Sequence, residues 1–347
     1  MIEPIMIKQD NLEGPIFVVG NSRSGTTMMG NILRNHPMIF TLHHEIHFFE
    51  QLCESKNFSC YLSIDKAVNL MARLLCINHD SYWTQGDPSR FIQEAATVVG
   101  SMESKAVSPA GVFEQFLRYT AMKNGKTVPC DQTPRYVLYI DEILKLYPGS
   151  RVINMVRDPR AVLLSQKNKW KRRWMGYSNF PLKESIRTKI NYHPITISMI
   201  WNASVRAVSR FADHPRVLLV KYEDIITNSE SEVRKVCSFL GVQFHKEMLD
   251  IPQAGSSLTR FSSTGKGIDS SKAETWRKGG LNPTEIYICQ KITGALMKLY
   301  GYQPIHVRTN PLMLIWYLLL FPLKSAMSLL LNLKRMKNIA EAIKRRL

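Results

Sequence analysis

The sequence lacks the features that mark a disulfide framework or a zinc site. Its six cysteines form no CxxC pair and have no metal-ligand spacing; they are Cys53, Cys60, Cys76, Cys130, Cys237 and Cys289. Scattered cysteines of this kind are typical of reduced, mostly structural thiols. Residues 1–13 also contain no hydrophobic signal segment. We therefore expect a cytosolic catalytic domain without a metal centre.

Acidic side chains are scarce as well. The chain has 28 Asp and Glu against 46 Lys and Arg, which gives a formal net charge of +18. This charge favours anionic partners such as nucleotides, acidic glycans, membrane surfaces or nucleic acids, without choosing among them. No internal repeat or low-complexity linker divides the 347 residues, which suffice for one large α/β domain or two small ones.

One stretch near the start combines a strand, a loop and a helix. Residues 16–19 are a short apolar run typical of a buried strand, and residues 28–33 carry apolar side chains at helical spacing. Gly20 and Gly25 bound the loop between them. Backbone N–H groups and the positive end of a helix dipole bind phosphate in such loops. The alternative is a glycine turn that only links the strand to the helix.

This loop lacks the lysine of a nucleotide triphosphatase. Those enzymes have Lys immediately before the Ser or Thr that follows the second glycine, and this chain has Thr26 there. Arg23 is the only cation in the loop. We therefore expect the loop to hold a phosphate, but with other residues than an ATPase uses.

A second strand-to-helix junction follows in residues 151–165. Residues 151–156 read as a buried strand, and a helix then runs through Ser165. In parallel sheets, ligands bind at the carboxyl ends of the strands. Arg157 can make two hydrogen bonds to a phosphate, and Ser165, two helical turns along, can add a hydroxyl. The alternative is an ion pair between Arg157 and Asp158 with Ser165 exposed to solvent.

The remaining sequence predicts helices and two further strands. Strands are expected at residues 38–41 and 216–220, and a mostly helical insertion over the sheet edge at about 58–126. Residues 167–174 place five cations among two tryptophans. This pattern suits either an acceptor groove, where aromatic faces stack and cations pair, or a solvated basic face.

Three blocks of the sequence together resemble the sulfotransferases that use 3′-phosphoadenosine 5′-phosphosulfate (PAPS). They are residues 23–27, 157–165 and 221–224, and they occur in the family's order within residues 14–304. The resemblance implies an α/β fold of three layers with a central parallel sheet and a P-loop-like phosphate site. It also implies a sulfotransferase domain at residues 1–305, with the helical insertion inside it. The hydrophobic and basic tail at 306–347, which we expect to be helical, lies outside the resemblance.

The resemblance implies a set of residues that bind PAPS: Arg23, Ser24, Gly25, Thr26, Thr27, Arg157, Ser165, Tyr222, Ser263, Lys266 and Lys272. Residues 23–27 would hold the 5′-phosphosulfate, and Arg157 with Ser165 would hold the 3′-phosphate. Tyr222 would approach the nucleotide. A late loop containing Ser263, Lys266 and Lys272 would close over it.

The catalytic residues implied by the resemblance are Glu45 and Arg23. Glu45 lies in a segment similar to the glutamate segment of the glycan- and tyrosine-modifying branches, where the Glu is the base. The alternative bases are the neighbouring histidines His43, His44 and His47.

One position departs from the family. Many relatives carry a Lys that assists catalysis where this chain has Gln132. Gln132 can donate a hydrogen bond but brings no charge. We expect Arg23, or a lysine such as Lys266 or Lys272, to supply the cation; impaired turnover is the alternative.

The implied reaction is in-line transfer of the sulfuryl group from PAPS to a hydroxyl or amine, with a Glu base and no metal. The acceptor class stays open among glycan, lipid headgroup, peptide and small molecule, and no nucleic acid partner is expected. The alternatives are a nucleotide kinase or triphosphatase and a catalytically impaired membrane-binding protein. The missing loop lysine counts against the kinase, as does Arg157 where an acid would bind Mg²⁺.

The tail at residues 306–347 predicts membrane association. Residues 312–333 contain one charge, Lys324, and one proline, Pro322, and about 20 apolar residues can span a bilayer. Residues 334–347 carry six cations and Glu341. A single span from a cytosolic domain would put these cations on the far side, against the positive-inside tendency. We therefore expect an interfacial or re-entrant hairpin broken near Pro322, with the basic segment on anionic lipid at the inner membrane face. The alternative is a helix pair packed on the enzyme's own surface.

Overall fold

The computed structural model describes residues 13–52, 57–82, 86–103, 107–175, 181–252 and 266–333. In this part of the chain, five parallel strands form one sheet in the order β2-β3-β1-β4-β5. The strands are β1 (Ile16–Gly20), β2 (Ile39–Thr41), β3 (Val128–Gln132), β4 (Arg151–Val156) and β5 (Val217–Lys221). The predicted α/β fold with a central parallel sheet is confirmed.

Helices flank the sheet and extend beyond it. They are α1 (Thr26–Arg34), α2 (Ile64–Asp80), α3 (Ile92–Gly100), α4 (Pro109–Lys123), α5 (Ile140–Leu146), α6 (Pro159–Lys167), α7 (Leu182–Asn191), α8 (Pro194–Ser209), α9 (Tyr222–Thr227), α10 (Ser229–Leu240), α11 (Pro283–Leu299) and α12 (Pro311–Asn332). Shorter helical turns follow β3 at Pro134–Tyr139 and α6 at Lys169–Met175.

Strand β1 is buried on both of its faces. Phe17 and Val19 belong to a hydrophobic core that includes Phe113 of α4, whereas Ile16 and Val18 belong to a second core on the other face of the sheet. Successive side chains of a strand point to opposite faces, so a continuous apolar run is what a parallel sheet covered on both sides requires. This arrangement fixes the end of β1, and therefore the start of the loop at Asn21, at the carboxyl edge of the sheet.

The region from 58 to 126 supplies α2, α3 and α4, as the sequence predicts. Phe113 and Phe116 of α4 are fully buried in the same core as Phe48. The rings of Phe48 and Phe113 are stacked with centroids 4.2 Å apart. These helices therefore support the segment that follows β2, which carries Glu45.

The predicted break at Pro322 is wrong. Helix α12 is a single helix of 22 residues that runs through Pro322. Pro322 removes one backbone donor, but its ring needs only a local adjustment when neighbouring contacts hold the helix. Within the described ranges, α12 is also the one helix long and apolar enough to cross a membrane, with a mean hydropathy of 1.8. The basic segment 334–347 lies outside the described residues.

Candidate active site

The loop after β1 is held in a strained backbone conformation. Gly25 has φ 96° and precedes the first residue of α1. A Cβ added at Gly25 would lie 2.5 Å from the ring of Tyr222, so the loop requires glycine there. Arg23 also has a positive φ, 76°, which is uncommon for a residue with a side chain. Such strain is frequent where a loop is shaped around a ligand.

The two predicted phosphate motifs meet in one place. Arg23 Nε donates a hydrogen bond to Ser165 Oγ at 2.9 Å. Arg157 Nη1 donates to the carbonyl oxygen of Arg23 at 3.3 Å, and the Arg157 guanidinium lies 4.0 Å from the ring centre of Tyr222. The fold therefore brings together residues from all three sequence blocks, which are more than 50 positions apart along the chain.

Arg157 does not form the ion pair with Asp158 that the sequence allowed as an alternative. Asp158 Oδ2 instead accepts from Arg160 Nη2 at 2.6 Å, and both side chains are buried. The Arg160 guanidinium also lies over the ring of Trp276. Arg157 is 9% exposed, and its Nε has no hydrogen-bond partner among the described residues. Buried donors are normally satisfied, so this one fits an anionic ligand.

We call the space around these residues the phosphate cavity. Its volume is about 310 Å³. Six cations line it: Arg23, Arg157, Lys169, Arg172, Lys272 and Lys278. Glu45 and Asp269 are its acidic lining residues. The excess of positive charge suits a ligand with several phosphate or sulfate groups.

Most of the predicted PAPS-binding residues line this cavity. They are Arg23, Gly25, Thr26, Thr27, Arg157, Ser165, Tyr222 and Lys272. The buried hydroxyl of Ser24 lies instead beside Asn154 on the other side of the loop. Lys266 is exposed in a bridge with Pro252 and does not line the cavity. Ser263 lies outside the described residues.

Glu45 stands between the phosphate cavity and a second cavity of about 360 Å³. We call the second space the α12 cavity, because Ser325, Ser328, Leu329 and Asn332 of α12 form one of its walls. Both cavities are lined by Glu45, Ser22, Pro134 and Lys169. A group in one cavity can therefore meet a group in the other beside the Glu45 carboxylate.

Histidine and arginine side chains set the charge of Glu45. Its Oε2 lies 3.3 Å from His47 Nε2, and His47 Nδ1 lies 3.9 Å from Glu50 Oε2. Glu50 in turn pairs with Arg135 at 2.8 Å. Burial alone would raise the pKa of Glu45, but His47, Lys169 and Arg135 outweigh it and the pKa is lowered. Glu45 is therefore ionised at neutral pH and able to accept a proton.

Residues of β3 and the turn after it hold the Glu45 segment in place. The Ile46 N–H donates to Thr133 Oγ1 at 3.2 Å, and the Phe48 N–H donates to Tyr136 Oη at 2.7 Å. Thr133 Oγ1 donates to Asp131 at 2.6 Å. These contacts connect residues 133–136, directly after β3, to the orientation of Glu45.

Lys169 is the site residue that the sequence analysis missed. It lines both cavities, whereas Gln132 lines neither and donates from Nε2 to Thr26 Oγ1 at 3.3 Å. Burial, together with the neighbouring charge of Arg23, lowers the pKa of Lys169 to about 7, although Glu45 acts in the opposite direction. In the sequence, Lys169 is one of five cations within residues 167–174, and nothing there distinguishes it from the others.

Only some residues of the basic and aromatic stretch 167–174 line the two cavities. Lys169 and Arg172 face the phosphate cavity. Trp170 and Trp174 line neither of the two cavities. Their ring centroids lie 5.5 Å apart, and Lys189 Nζ lies 4.9 Å from the centroid of the Trp170 ring.

In the part of the chain that the structure describes, no group of three His, Cys, Asp or Glu could hold a metal ion.

The chain belongs to the sulfotransferase family. Residues 15–246, more than half of the chain, match the model of this family. Among solved structures, the sulfotransferase domain from the curacin biosynthetic pathway aligns with a TM-score of 0.50, over 84% of this chain and 99% of that domain, at 20% sequence identity. That similarity is one of fold.

Several curated proteins are similar in sequence. Nodulation protein NoeE of Sinorhizobium fredii (strain NBRC 101917 / NGR234) is 24% identical over 83% of this chain and 65% of its own length. A putative protein-tyrosine sulfotransferase of Caenorhabditis briggsae is 26% identical over 69% of both chains. Carbohydrate sulfotransferase 3 of Mus musculus is 27% identical over 44% of this chain and 34% of its own length. The chain thus spans 65%, 69% and 34% of these three relatives.

Proposed function

We propose that the protein transfers the sulfuryl group of PAPS to a hydroxyl or amine of an acceptor. The observation that carries this proposal is the contact between Arg23 and Ser165, with Arg157 bonded to the Arg23 carbonyl. It joins a loop suited to a 5′-phosphate to a helix suited to a second phosphate. A ligand with phosphate-like groups at two positions uses both; a simple nucleoside monophosphate does not.

The residues present fit PAPS at both of its charged ends. Arg23, the backbone donors of Thr26 and Thr27, and the start of α1 would hold the 5′-phosphosulfate. Arg157, whose Nε lacks a partner within the described residues, would hold the 3′-phosphate together with Ser165. Tyr222 lies against Arg157 and Gly25, at the edge of the same cavity. Lys272 lines the cavity while paired with Asp269 at 3.5 Å.

The chemistry of the reaction assigns roles to Glu45, Arg23 and Lys169. PAPS supplies an electrophilic sulfur and adenosine 3′,5′-bisphosphate as leaving group. Glu45 is ionised and accepts the proton of the acceptor hydroxyl or amine as the new bond to sulfur forms. Arg23 and Lys169, which both line the phosphate cavity, would stabilise the negative charge that builds on the departing phosphate oxygen. Lys169 thereby takes the part for which relatives use the lysine at position 132.

A kinase or triphosphatase is the competing enzyme class. Those enzymes need a loop lysine and an acid that holds Mg²⁺. This chain has Thr26 at the lysine position and Arg157 directly after β4. The positive lining of the phosphate cavity also does not favour a nucleotide that carries its own cation.

Isothermal titration separates these functions. We expect adenosine 3′,5′-bisphosphate to bind without added metal and ATP–Mg²⁺ to bind at least tenfold more weakly, since a charge-assisted contact contributes roughly 1.5–3 kcal/mol. Tighter binding of ATP–Mg²⁺ would support the kinase instead. If neither nucleotide binds, the remaining alternative is a membrane-binding protein that uses no nucleotide cofactor.

We also propose that the catalytic domain is cytoplasmic and associates with the inner membrane face through α12 and the basic segment 334–347. Twelve large apolar side chains of the described tail are exposed, among them Leu312, Leu319 and Leu330 at 76%, 69% and 68%. Six cations follow in the sequence, which suits anionic lipid. Flotation with anionic liposomes tests this, comparing the full chain with one that ends at Pro304. Equal flotation of the two would contradict membrane association.

A further inference from the structure

A surface helix of a soluble domain usually packs its apolar side chains against the protein and exposes its polar ones. Helix α12 has largely the opposite arrangement. Its polar groups face the protein: the Tyr317 carbonyl accepts from His193 Nε2 at 3.1 Å, and Lys324 Nζ donates to the Tyr192 carbonyl at 3.0 Å. Asn332 accepts from Arg187 at 2.8 Å. Most of its large apolar side chains are exposed to solvent, whereas Leu314, Leu320 and Phe321 are half-buried. An exposed apolar face of this size is typical of a surface that a membrane or a protein partner covers.

The contacts of α12 favour a helix that lies along a membrane surface. The contacts from Tyr317 to Asn332 extend over 15 positions, or about 22 Å of helix. A bilayer span over these residues would draw the attached catalytic domain into the hydrocarbon. An interfacial position keeps the polar side on the protein and the apolar side in lipid.

The same helix forms a wall of the α12 cavity. Ser325, Ser328 and Asn332 line it, as do Glu45 and Lys169. The rest of its polar lining is rich in hydroxyl and amide groups: Thr188, Asn191, Thr196 and Ser204. Such groups exchange hydrogen bonds with a polyhydroxylated, sugar-like group. One helix therefore borders both the outer apolar surface and the chamber that leads to Glu45.

We propose that the acceptor is a membrane lipid with a hydroxyl-bearing headgroup, which enters the α12 cavity beside α12 while its chains stay in the bilayer. This inference rests on the sulfotransferase function proposed above and names its acceptor class. The headgroup hydroxyl gives its proton to Glu45, its oxygen forms the bond to the sulfur of PAPS, and the bond to the bisphosphate breaks. The sulfated lipid remains in the membrane.

The first test follows the label from ³⁵S-PAPS. The full chain is mixed with phosphatidylcholine–phosphatidylglycerol vesicles that carry polar lipids from the cells of origin, or with the water-soluble fraction of the same cells. We expect at least about tenfold more label in the lipid fraction, because the bilayer holds the acceptor at the cavity. Label that enters only water-soluble products, or neither fraction, overturns the inference.

A matched pair of variants tests the outer surface of α12. Leu319→Glu puts a charge on the exposed face without changing the cavity lining, and Leu299→Glu does the same on α11 at a side chain that is 72% exposed. We expect Leu319→Glu to raise KM for the lipid acceptor about tenfold, because it puts a charge where an apolar side chain would be buried in lipid. Leu299→Glu should leave KM unchanged. Equal effects of the two variants would contradict a lipid contact at α12.

Two further measurements separate the acceptor assignment from the proposed function and from dimer formation through α12. Titration with adenosine 3′,5′-bisphosphate reports the proposed function by itself: failure to bind overturns that function, whereas normal binding without lipid labelling overturns only the acceptor assignment. Sedimentation in the absence of lipid tests the other way of covering α12. A stable dimer that Leu319→Glu dissociates would show that a second copy covers this face, and would contradict the lipid surface.

Discussion

The carboxylate of Glu45 and the imidazole of His47 lie against each other at the wall of the α12 cavity, with 3.3 Å between Oε2 and Nε2. His47 is 2% exposed and has a positive φ of 57°. The ring also lies edge-on to Tyr82, with centroids 5.3 Å apart. His47 is therefore placed to orient the Glu45 carboxylate, and it also lines the α12 cavity.

Replacing Glu45 tests its role as the base. Glu45→Gln keeps the shape of the side chain and removes the proton acceptor, so kcat should fall by about 10²–10⁴ while bisphosphate affinity persists. Glu114→Gln, a partly exposed glutamate paired with Arg118, is the matched control. A Glu45→Gln enzyme with more than about a tenth of wild-type turnover would move the role to His44 or His47.

The pH profile distinguishes the positioning role of His47 from a purely structural one. Burial raises the pKa of Glu45 and His47 lowers it, so removing His47 should raise this pKa. In His47→Asn, the acid limb of kcat/KM should therefore move to higher pH, because the base is protonated earlier. Asn tolerates the positive φ at this position. His79→Asn, at an exposed histidine, should leave the limb in place; an unmoved limb in His47→Asn would contradict the coupling.

Lys169 should give the free protein a proton-linked affinity for the bisphosphate. Its pKa of about 7 means that it is charged below neutral pH and loses its charge as the pH rises. Affinity should therefore fall between about pH 7 and pH 9, where phosphate groups with a pKa of about 6 are already ionised. At pH 8, binding should take up protons, measurable by calorimetry in buffers of different ionisation enthalpy.

Charge-preserving and charge-removing variants separate the causes of that linkage. Lys169→Arg keeps the cation at all these pH values and should abolish the proton uptake while retaining affinity. Lys169→Met should bind weakly at every pH, and Lys66→Met, at an exposed lysine of α2, should behave as wild type. Undiminished proton uptake in Lys169→Arg would assign the linkage to another group.

The apolar runs of the sequence predicted β1 and β4, which are buried on both faces, and β5, an edge strand whose Leu219 is 43% exposed. Strand β3 was missed, since Val128–Gln132 contains Pro129 and Asp131, which local patterns assign to turns. Asp131 is fully buried, and burial raises its pKa to about 7 while Thr133 donates a hydrogen bond to it. Tertiary contacts stabilise this strand, and a short stretch of sequence does not reveal them.

The sequence named many of the residues that line the phosphate cavity, but not how they are arranged. Arg23, Arg157 and Ser165 could be named because glycine spacing and strand ends are local signals. Lys169 could not, because its role depends on where the turn after α6 lies relative to Glu45. The polarity of α12 was likewise invisible: the sequence shows an apolar run, and only the fold shows that its few polar groups face the α12 cavity.

The most direct test of the central claim is the preference of the phosphate cavity for a 3′-phosphate. Calorimetry compares adenosine 3′,5′-bisphosphate with adenosine 5′-phosphate for wild type, Arg157→Ala and the control Arg206→Ala, an exposed arginine on α8. Wild type and Arg206→Ala should prefer the bisphosphate. Arg157→Ala should lose roughly 1.5–3 kcal/mol of that preference, one to two decades in affinity. An unchanged preference in Arg157→Ala would contradict the assignment of this cavity to PAPS.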